Sequence, residues 1–172
     1  MKKLTLILCL ISLFSTLSFA QKPKKKVHKK VKVITPKVVE TVASNETINQ
    51  GICGSIVWKS GNLMPSPDHE VPKPKGVQRE LFVYEVTNTQ QATLQNGFYK
   101  AIVTNLIKSV KSDAEGKFCL ELPEGRYSLF VKEGEKGLYA NQLDGDGNIF
   151  PVKVTKGNLS MIVFTIDYKA NY

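Results

Sequence analysis

Side chains that could carry out chemistry are sparse in this chain, and its two histidines show this. His28 lies in a lysine-rich stretch, and His69 lies in the proline-containing loop Ser66-Pro67-Asp68-His69-Glu70. A Ser-His-Asp hydrolase needs a histidine held rigidly between a carboxylate and a nucleophile. Because a solvated loop offers no orienting partner, we predict that His69 is not catalytic. The sequence also has no zinc-ligand spacing and no phosphate-binding glycine loop, so we predict neither a catalytic residue nor a cofactor.

One acidic segment resembles the start of a calcium-binding loop. In Asp144-Gly145-Asp146-Gly147-Asn148, the oxygen-bearing side chains Asp144, Asp146 and Asn148 stand at alternate positions, as a hard cation requires. The carboxylate expected at the twelfth position is missing, because residue 155 is Thr. Asp, Asn and Gly are also preferred turn residues. We therefore favour a plain turn and keep this triplet as a weak calcium candidate.

The elements that must position these residues are strands. Two turn motifs, Asp113-Ala114-Glu115-Gly116 and Pro123-Glu124-Gly125, each precede a run in which apolar and polar residues alternate. A period of two between glycine-containing turns indicates half-buried antiparallel strands. The apolar members of the two runs are Phe118, Leu120, Leu122, Tyr127, Leu129 and Val131.

Seven strands and no helix are predicted along the chain, at 51–58, 79–87, 98–112, 117–122, 126–132, 149–154 and 159–168. This pattern favours an all-β fold, a seven-stranded antiparallel β-sandwich. In the second strand both faces are apolar, and we expect Phe82, Tyr84 and Val86 to face the core. The rest of the predicted core comprises Ile52, Ile56, Ile162, Phe164, Ile166 and the six alternating residues named above.

Residues 1–20 are predicted to be a secretory signal, with cleavage after Ala20. Lys2 and Lys3 precede an apolar run from Leu4 to Phe14, and small residues follow at the cleavage positions. The run is too short for a membrane span of about 20 residues, and Cys9 lies inside it rather than at a lipoprotein cleavage site. We therefore expect an exported product in the periplasm or at the cell surface, without a transmembrane segment after signal removal.

Residues 21–49 are predicted to be a basic, mostly disordered arm. Residues 21–50 hold eight lysines against Glu40 and Glu46, whereas the remaining residues to the end of the chain hold 14 basic and 13 acidic residues. A lysine- and proline-rich segment buries too little apolar surface to offset its ordering entropy. We favour a spacer; the alternative is a tether to an anionic surface or an envelope protein. Nucleic acid is not expected, because the arm lacks aromatic residues for base stacking.

Residues 50–172 resemble the carboxypeptidase regulatory-like domains, which have a transthyretin-like (prealbumin-like) sandwich. The resemblance is carried, in the expected order, by Gly51-Ile52-Cys53-Gly54-Ser55-Ile56-Val57, by the turn and strand at 112–120, and by Pro123-Glu124-Gly125-Arg126-Tyr127-Ser128-Leu129. The segments 61–65 and 166–172 are similar to a subgroup of small exported bacterial members. Transthyretin-like hydrolases end in Tyr-Arg-Gly-Ser, whereas this chain ends in Lys169-Ala170-Asn171-Tyr172.

The resemblance also implies a pairing for Cys53 and Cys119, the two cysteines left after signal removal. The strands that match theirs are sheet neighbours in the transthyretin-like sandwich, and both cysteines alternate away from the predicted core. A cross-strand disulfide is therefore expected in an oxidising compartment. The alternative is a pair of half-buried free thiols.

These observations favour an exported, non-enzymatic sandwich module with a structural, accessory or protein-binding role in the cell envelope. A carbohydrate- or peptide-binding module is the first alternative, and it requires an aromatic patch that lines a groove; Trp58, with Tyr84 or Tyr99, is the candidate. A small transthyretin-like hydrolase is disfavoured by the C-terminal sequence and by the lack of a supported histidine. Edge-on binding of a strand from another protein is a further possibility, because sandwiches have exposed edges.

Overall fold

The computed structural model describes residues 48–65, 67 and 71–172. The predicted signal, the basic arm up to residue 47 and His69 lie outside the described residues. The strands of the described part are β1 (Gly51–Asn62), β2 (Lys75–Gly76), β3 (Glu80–Glu85), β4 (Ala92–Gln95), β5 (Phe98–Ile102), β6 (Leu106–Lys111), β7 (Lys117–Glu121), β8 (Gly125–Lys132), β9 (Leu138–Tyr139), β10 (Pro151–Val154) and β11 (Leu159–Asn171). Two single-turn 3₁₀ helices, Thr89–Gln91 and Gly134–Lys136, interrupt them. No helix in these ranges is long and apolar enough to cross a membrane.

The strands form two sheets, which confirms the all-β sandwich. The smaller sheet has the order β11-β1-β2, with β7 also paired to β1. The larger sheet has the order β4-β5-β9-β8-β3-β6, with β10 also paired to β8. The pairs between the named strands are antiparallel with one exception, because the first and last strands, β1 and β11, run parallel.

The core lies between the sheets and contains the side chains that the alternation predicted. Residues from β1, β7, β8 and β11 form one buried cluster with residues of β3, β5 and β10. Ile162 differs from the prediction in being only partly buried. Each fully buried large aliphatic or aromatic side chain contributes about 1.5–3 kcal/mol. The predicted members that lie in the cluster are Ile52, Ile56, Phe118, Leu120, Leu122, Tyr127, Leu129, Val131, Phe164 and Ile166.

The prediction that Phe82, Tyr84 and Val86 face the core is wrong. Leu81 and Val83 are fully buried in the core instead. In the β3–β8 pair they stand opposite Val131 and Leu129, the inward residues of β8. Directly opposed residues of two strands point to the same face of a sheet, so pairing with β8 turns Phe82 and Tyr84 to the outer face.

The predicted third strand, 98–112, is two strands. β5 belongs to one end of the larger sheet and β6 to the other, and residues 103–105 connect them. At this crossing Glu85 N donates to Asn105 O, and the hydroxyl oxygens of Thr87 and Thr104 are 2.6 Å apart. Residues 103–105 therefore carry the chain across the larger sheet, from β5, which lies beside β9, to β6, which lies beside β3.

Three predicted loops also contain short strands, namely β2, β4 and β9. The β4–β5 hairpin turns at Asn96-Gly97, where both residues have positive φ, 53° and 79°. Asn-Gly is the preferred sequence for a two-residue hairpin turn with φ above zero. This signal was present in the sequence and would have identified β4.

Cys53 and Cys119 form a disulfide bond. They are direct partners in the β1–β7 pair, with Cα atoms 4.1 Å apart. Their neighbours in each strand, Ile52 and Leu120, are buried in the core. The bond therefore lies on the outer face of the smaller sheet, as the alternation predicted.

Candidate functional site

The calcium candidate has the hydrogen bonding of a turn. One carboxylate oxygen of Asp144 accepts hydrogen bonds from the backbone N–H groups of Asp146 and Asn148. The other accepts from the Asn148 side-chain amide and from Arg126 at 3.1 Å. The Asn148 hydrogen bond is the largest cause of the lowered pKa of Asp144. Because N–H donors occupy both oxygens, a cation would have to displace them; the calcium site remains a prediction without structural support.

Trp58 does not pack against Tyr84 or Tyr99, which were its expected neighbours. Its ring instead packs edge to face against Tyr168, with the centroids 5.2 Å apart. Phe98 and Tyr139 also contact Tyr168, at 5.0 and 5.3 Å. This aromatic cluster borders the core between β1, β5, β9 and β11.

Hydrogen bonds fix the polar ends of this cluster. Glu133 is buried and accepts from Arg79 at 2.6 Å and from the Tyr168 hydroxyl at 2.7 Å. Burial, followed by the Glu133 hydrogen bond, raises the pKa of Tyr168 to about 12. Asp167 accepts from the hydroxyls of Tyr139 and Tyr172, each at 2.7 Å. The polar groups here satisfy one another, which is typical of a structural network.

A second apolar cluster lies on the opposite, outer face of the larger sheet. Its centre is Phe130 of β8, which is fully buried. Tyr84 of β3 packs edge to face against Phe130 at 5.5 Å, and Tyr99 of β5 does so at 5.3 Å. Phe82, Ile102 and several smaller side chains pack around these rings. The cluster explains why β3 is apolar on both faces: each face is covered.

An open depression, here called the β5 groove, lies beside this cluster. It has a volume of about 310 Å³. Apolar and aromatic side chains dominate its walls, two lysines contribute charge, and Gly134 and Gly137 complete the lining. The side chains that define it belong to Phe82, Tyr84, Tyr99, Lys100, Ala101, Ile102, Lys132 and Leu138.

The tyrosine hydroxyls in this groove differ from those elsewhere in the fold in their hydrogen bonding. The sequence has six tyrosines. Four donate to protein oxygens: Tyr127 to the Pro123 carbonyl, Tyr168 to Glu133, and Tyr139 and Tyr172 to Asp167.

The other two, Tyr84 and Tyr99, have no hydrogen-bond partner among the described residues, and both line the β5 groove. Among those residues, no enclosed side-chain nitrogen or oxygen lacks a partner. Both hydroxyls therefore reach solvent, although Tyr99 is only 7% exposed. Burial raises the pKa of Tyr84 and of Tyr99, so both are neutral and can donate a hydrogen bond at physiological pH.

The charge of the groove is positive. Lys100 and Lys132 are both exposed and both line it, and none of its lining residues is acidic. The Lys100 ammonium donates to the Lys136 carbonyl oxygen, which holds it at one side of the groove. Glu133, the residue after Lys132, is already engaged by Arg79 and Tyr168. The groove thus combines aromatic walls, two free hydroxyls and two ammonium groups.

Sequence reasoning missed this site because it assigned Phe82 and Tyr84 to the core. The available signal was the run Leu81-Phe82-Val83-Tyr84, in which every residue is apolar or aromatic. Such a run indicates a strand covered on both faces rather than one exposed to solvent. The side chains of β5 that cover Phe82 and Tyr84 come from a strand that is distant in the sheet order, so the local sequence pattern does not reveal them.

A second surface lies around the disulfide on the smaller sheet. Met161 and Val163 of β11 are 72% and 58% exposed beside Cys53. A shallow depression with a volume of about 500 Å³ includes these residues, together with Ser55 and Lys117. This surface is more open and has no aromatic ring except that of the core residue Phe118.

Comparison with protein families, with curated proteins and with solved structures found no match to this chain.

Proposed function

We propose that this chain is an exported, non-enzymatic β-sandwich module that binds a peptide or saccharide segment of a partner in the β5 groove. The observation that carries the proposal is the pair of unpartnered hydroxyls, Tyr84 and Tyr99, between aromatic walls. Binding sites for organic ligands combine apolar walls with a few polar groups that are free to pair with the ligand. The tyrosines outside the groove have their hydroxyls paired within the protein.

The side chains in the groove favour binding over catalysis. Lysine and tyrosine line it, but a carboxylate, an imidazole and a thiol are missing from its lining residues. Acyl transfer requires a nucleophile, a base and an oxyanion-stabilising group in mutual contact. Ammonium and phenol groups next to aromatic rings can instead orient a ligand.

Export and family membership belong to the same proposal. The Cys53–Cys119 disulfide supports an oxidising compartment, consistent with the predicted signal at residues 1–20. We propose that the domain is related to the carboxypeptidase regulatory-like sandwiches, on the order of the three motifs that suggested it. The basic arm would then serve as a spacer, or as a tether to an anionic surface or envelope protein.

The test is a ligand selection on two proteins in parallel. A random displayed-peptide library and a saccharide array are each screened with the secreted wild-type domain and with the Tyr84→Phe/Tyr99→Phe double variant. The substitutions remove only the two hydroxyl groups. Ligands that bind the wild type and lose at least tenfold in affinity for the variant support the proposal. If no ligand is selected, or if selected ligands bind both proteins equally, the β5 groove is not the binding site.

A matched control uses Tyr172→Phe. This removes an exposed hydroxyl that is bonded to Asp167, outside the groove. Ligands selected on the wild type should bind this variant unchanged.

A further inference from the structure

The edge of β5 that faces away from β4 is open along the groove. β5 pairs with β4 from Phe98 to Ile102, but on its other edge it pairs with β9 only through Tyr99 and Leu138. Beyond Ile102 the Val103 N–H donates to the carbonyl oxygen of Gln91, next to β4, and the Asn105 carbonyl oxygen then accepts from the Glu85 N–H at the crossing. Among the described residues, no strand pairs with the 100–102 stretch on this edge.

An open strand edge next to a groove suits one kind of ligand. An extended peptide can add to such an edge with its main-chain N–H and C=O groups, while its alternate side chains enter adjacent pockets. A saccharide has no amide groups at the spacing of a strand. The edge at 100–102 therefore favours a peptide over a sugar.

The charges select among peptides. Lys100 and Lys132 flank the groove, and none of its lining residues would repel an anion. The floor beside them is apolar and includes Phe82 and Tyr84. A ligand that matches both features alternates acidic residues with apolar ones, so that carboxylates meet the ammonium groups and apolar side chains meet the rings.

We infer that the β5 groove binds an acidic peptide segment in extended conformation, aligned along the free edge of β5. This inference rests on the proposed function and specifies its ligand. The Tyr84 and Tyr99 hydroxyls would donate to carbonyl or carboxylate oxygens of the bound segment. The main-chain pairing would set its direction, and the lysines would set its preference for negative charge.

The test uses the secreted protein and three synthetic hexapeptides, each with a blocked N-terminus and C-terminus. The peptides alternate valine with glutamate, with glutamine or with lysine, and cellotetraose serves as the saccharide probe. Binding is followed through the backbone amide signals of Phe82, Tyr84 and residues 99–102 by NMR titration. We expect the glutamate peptide to bind about tenfold more tightly than the glutamine peptide. We also expect the lysine peptide to bind most weakly, and added salt to reduce the differences.

Two variants test the role of charge. Lys132→Gln should weaken binding of the glutamate peptide about fivefold and leave the glutamine peptide unchanged. Lys153→Gln is the control, because Lys153 is also an exposed strand lysine but lies on β10 and does not line the groove. It should change neither affinity.

N-methylation of the peptide tests the main-chain pairing. In an extended strand, alternate N–H groups point to opposite edges. Methylating every valine amide and methylating every glutamate amide should therefore have different effects: one set should lose at least tenfold in affinity, and the other should retain binding.

The outcomes separate this inference from the function that it specifies. Equal binding of the glutamate and glutamine peptides would overturn the acidic preference, and equal tolerance of both methylation patterns would overturn the strand alignment. Cellotetraose that shifts the groove amides when no peptide does would overturn the inference but support a binding site in the β5 groove. If no probe shifts these amides, the inference is wrong, and the library selection decides the broader proposal separately.

Discussion

Tyr84 and Tyr99 come from different strands, β3 and β5, and both pack edge to face against Phe130, at 5.5 and 5.3 Å. Their rings belong to the packing of the sheet, while their hydroxyls have no partner among the described residues. Stability and the proposed binding therefore depend on different parts of the same side chains. This relationship allows the two contributions to be measured separately.

The first prediction concerns the hydroxyl groups. Tyr84→Phe and Tyr99→Phe should each change the free energy of unfolding by less than about 0.5 kcal/mol, because no intramolecular hydrogen bond is lost. Tyr139→Phe should cost about 1.5 kcal/mol, because that hydroxyl donates to the Asp167 carboxylate at 2.7 Å. Urea unfolding of the three variants measures these differences. A loss at Tyr84 or Tyr99 as large as that at Tyr139 would show that their hydroxyls have structural partners.

The second prediction concerns the disulfide, whose cysteines are 66 residues apart in sequence. Cross-linking a loop of this length restricts the unfolded chain. The free energy of unfolding of the Cys53→Ala/Cys119→Ala variant should therefore be about 4 kcal/mol lower than that of the oxidised wild type. Urea unfolding of the oxidised wild type, the reduced wild type and the variant measures the effect, and the last two should agree. Detection of two free thiols in the unfolded, unreduced protein would contradict the pairing.

The third prediction compares two glycines with nearly equal positive φ, Gly116 at 81° and Gly97 at 79°. A Cβ at Gly97 would contact nothing within 4 Å, so Gly97→Ala should cost only the backbone strain of about 1 kcal/mol. A Cβ at Gly116 would collide with the carbonyl oxygen of Ile56 in β1. Gly116→Ala should therefore cost about 3 kcal/mol or more in thermal or urea unfolding. Equal costs at both positions would contradict the close approach to β1.

The fourth prediction concerns alkaline pH. The pKa of Tyr168 is about 12 in the folded protein, above its usual value of about 10 in an unfolded chain. The folded state therefore holds the phenol proton more tightly, and its stabilising effect is complete below pH 10 and lost as the pH rises through 12. Between pH 10 and 12 the free energy of unfolding should fall less steeply with pH in Tyr168→Phe than in the wild type. The difference in slope should correspond to about one proton per molecule.

Unfolding free energies measured at several pH values from 9 to 12 test this effect. Tyr172→Phe is a useful comparison, because Tyr172 is exposed and its pKa is raised mainly by its hydrogen bond to Asp167. An unchanged pH profile for Tyr168→Phe would show that burial and the Glu133 hydrogen bond do not raise the pKa of this phenol in the folded state.

Local patterns identified the class of fold and most of its interior. The alternation around Phe118 and Tyr127 predicted strands, core residues and the outward direction of Cys119, because successive side chains of a strand point to opposite faces. Turn residues such as Gly116 marked where strands begin. These features depend on neighbours in sequence, so they can be recognised from the amino-acid sequence alone.

The sequence by itself thus determined a β-sandwich with a largely correct core, since the period of two is a property of each strand alone. The orientation of β3 was decided only in three dimensions, because Leu81 and Val83 are as apolar as Phe82 and Tyr84, and pairing with β8 selects between them. The β5 groove also arises only on folding. Its walls come from β3, β5, β8 and β9. They meet because strands that are distant in sequence pair in the larger sheet and because residues 103–105 carry the chain from β5 to the end of β3, a long-range arrangement that no local periodicity encodes.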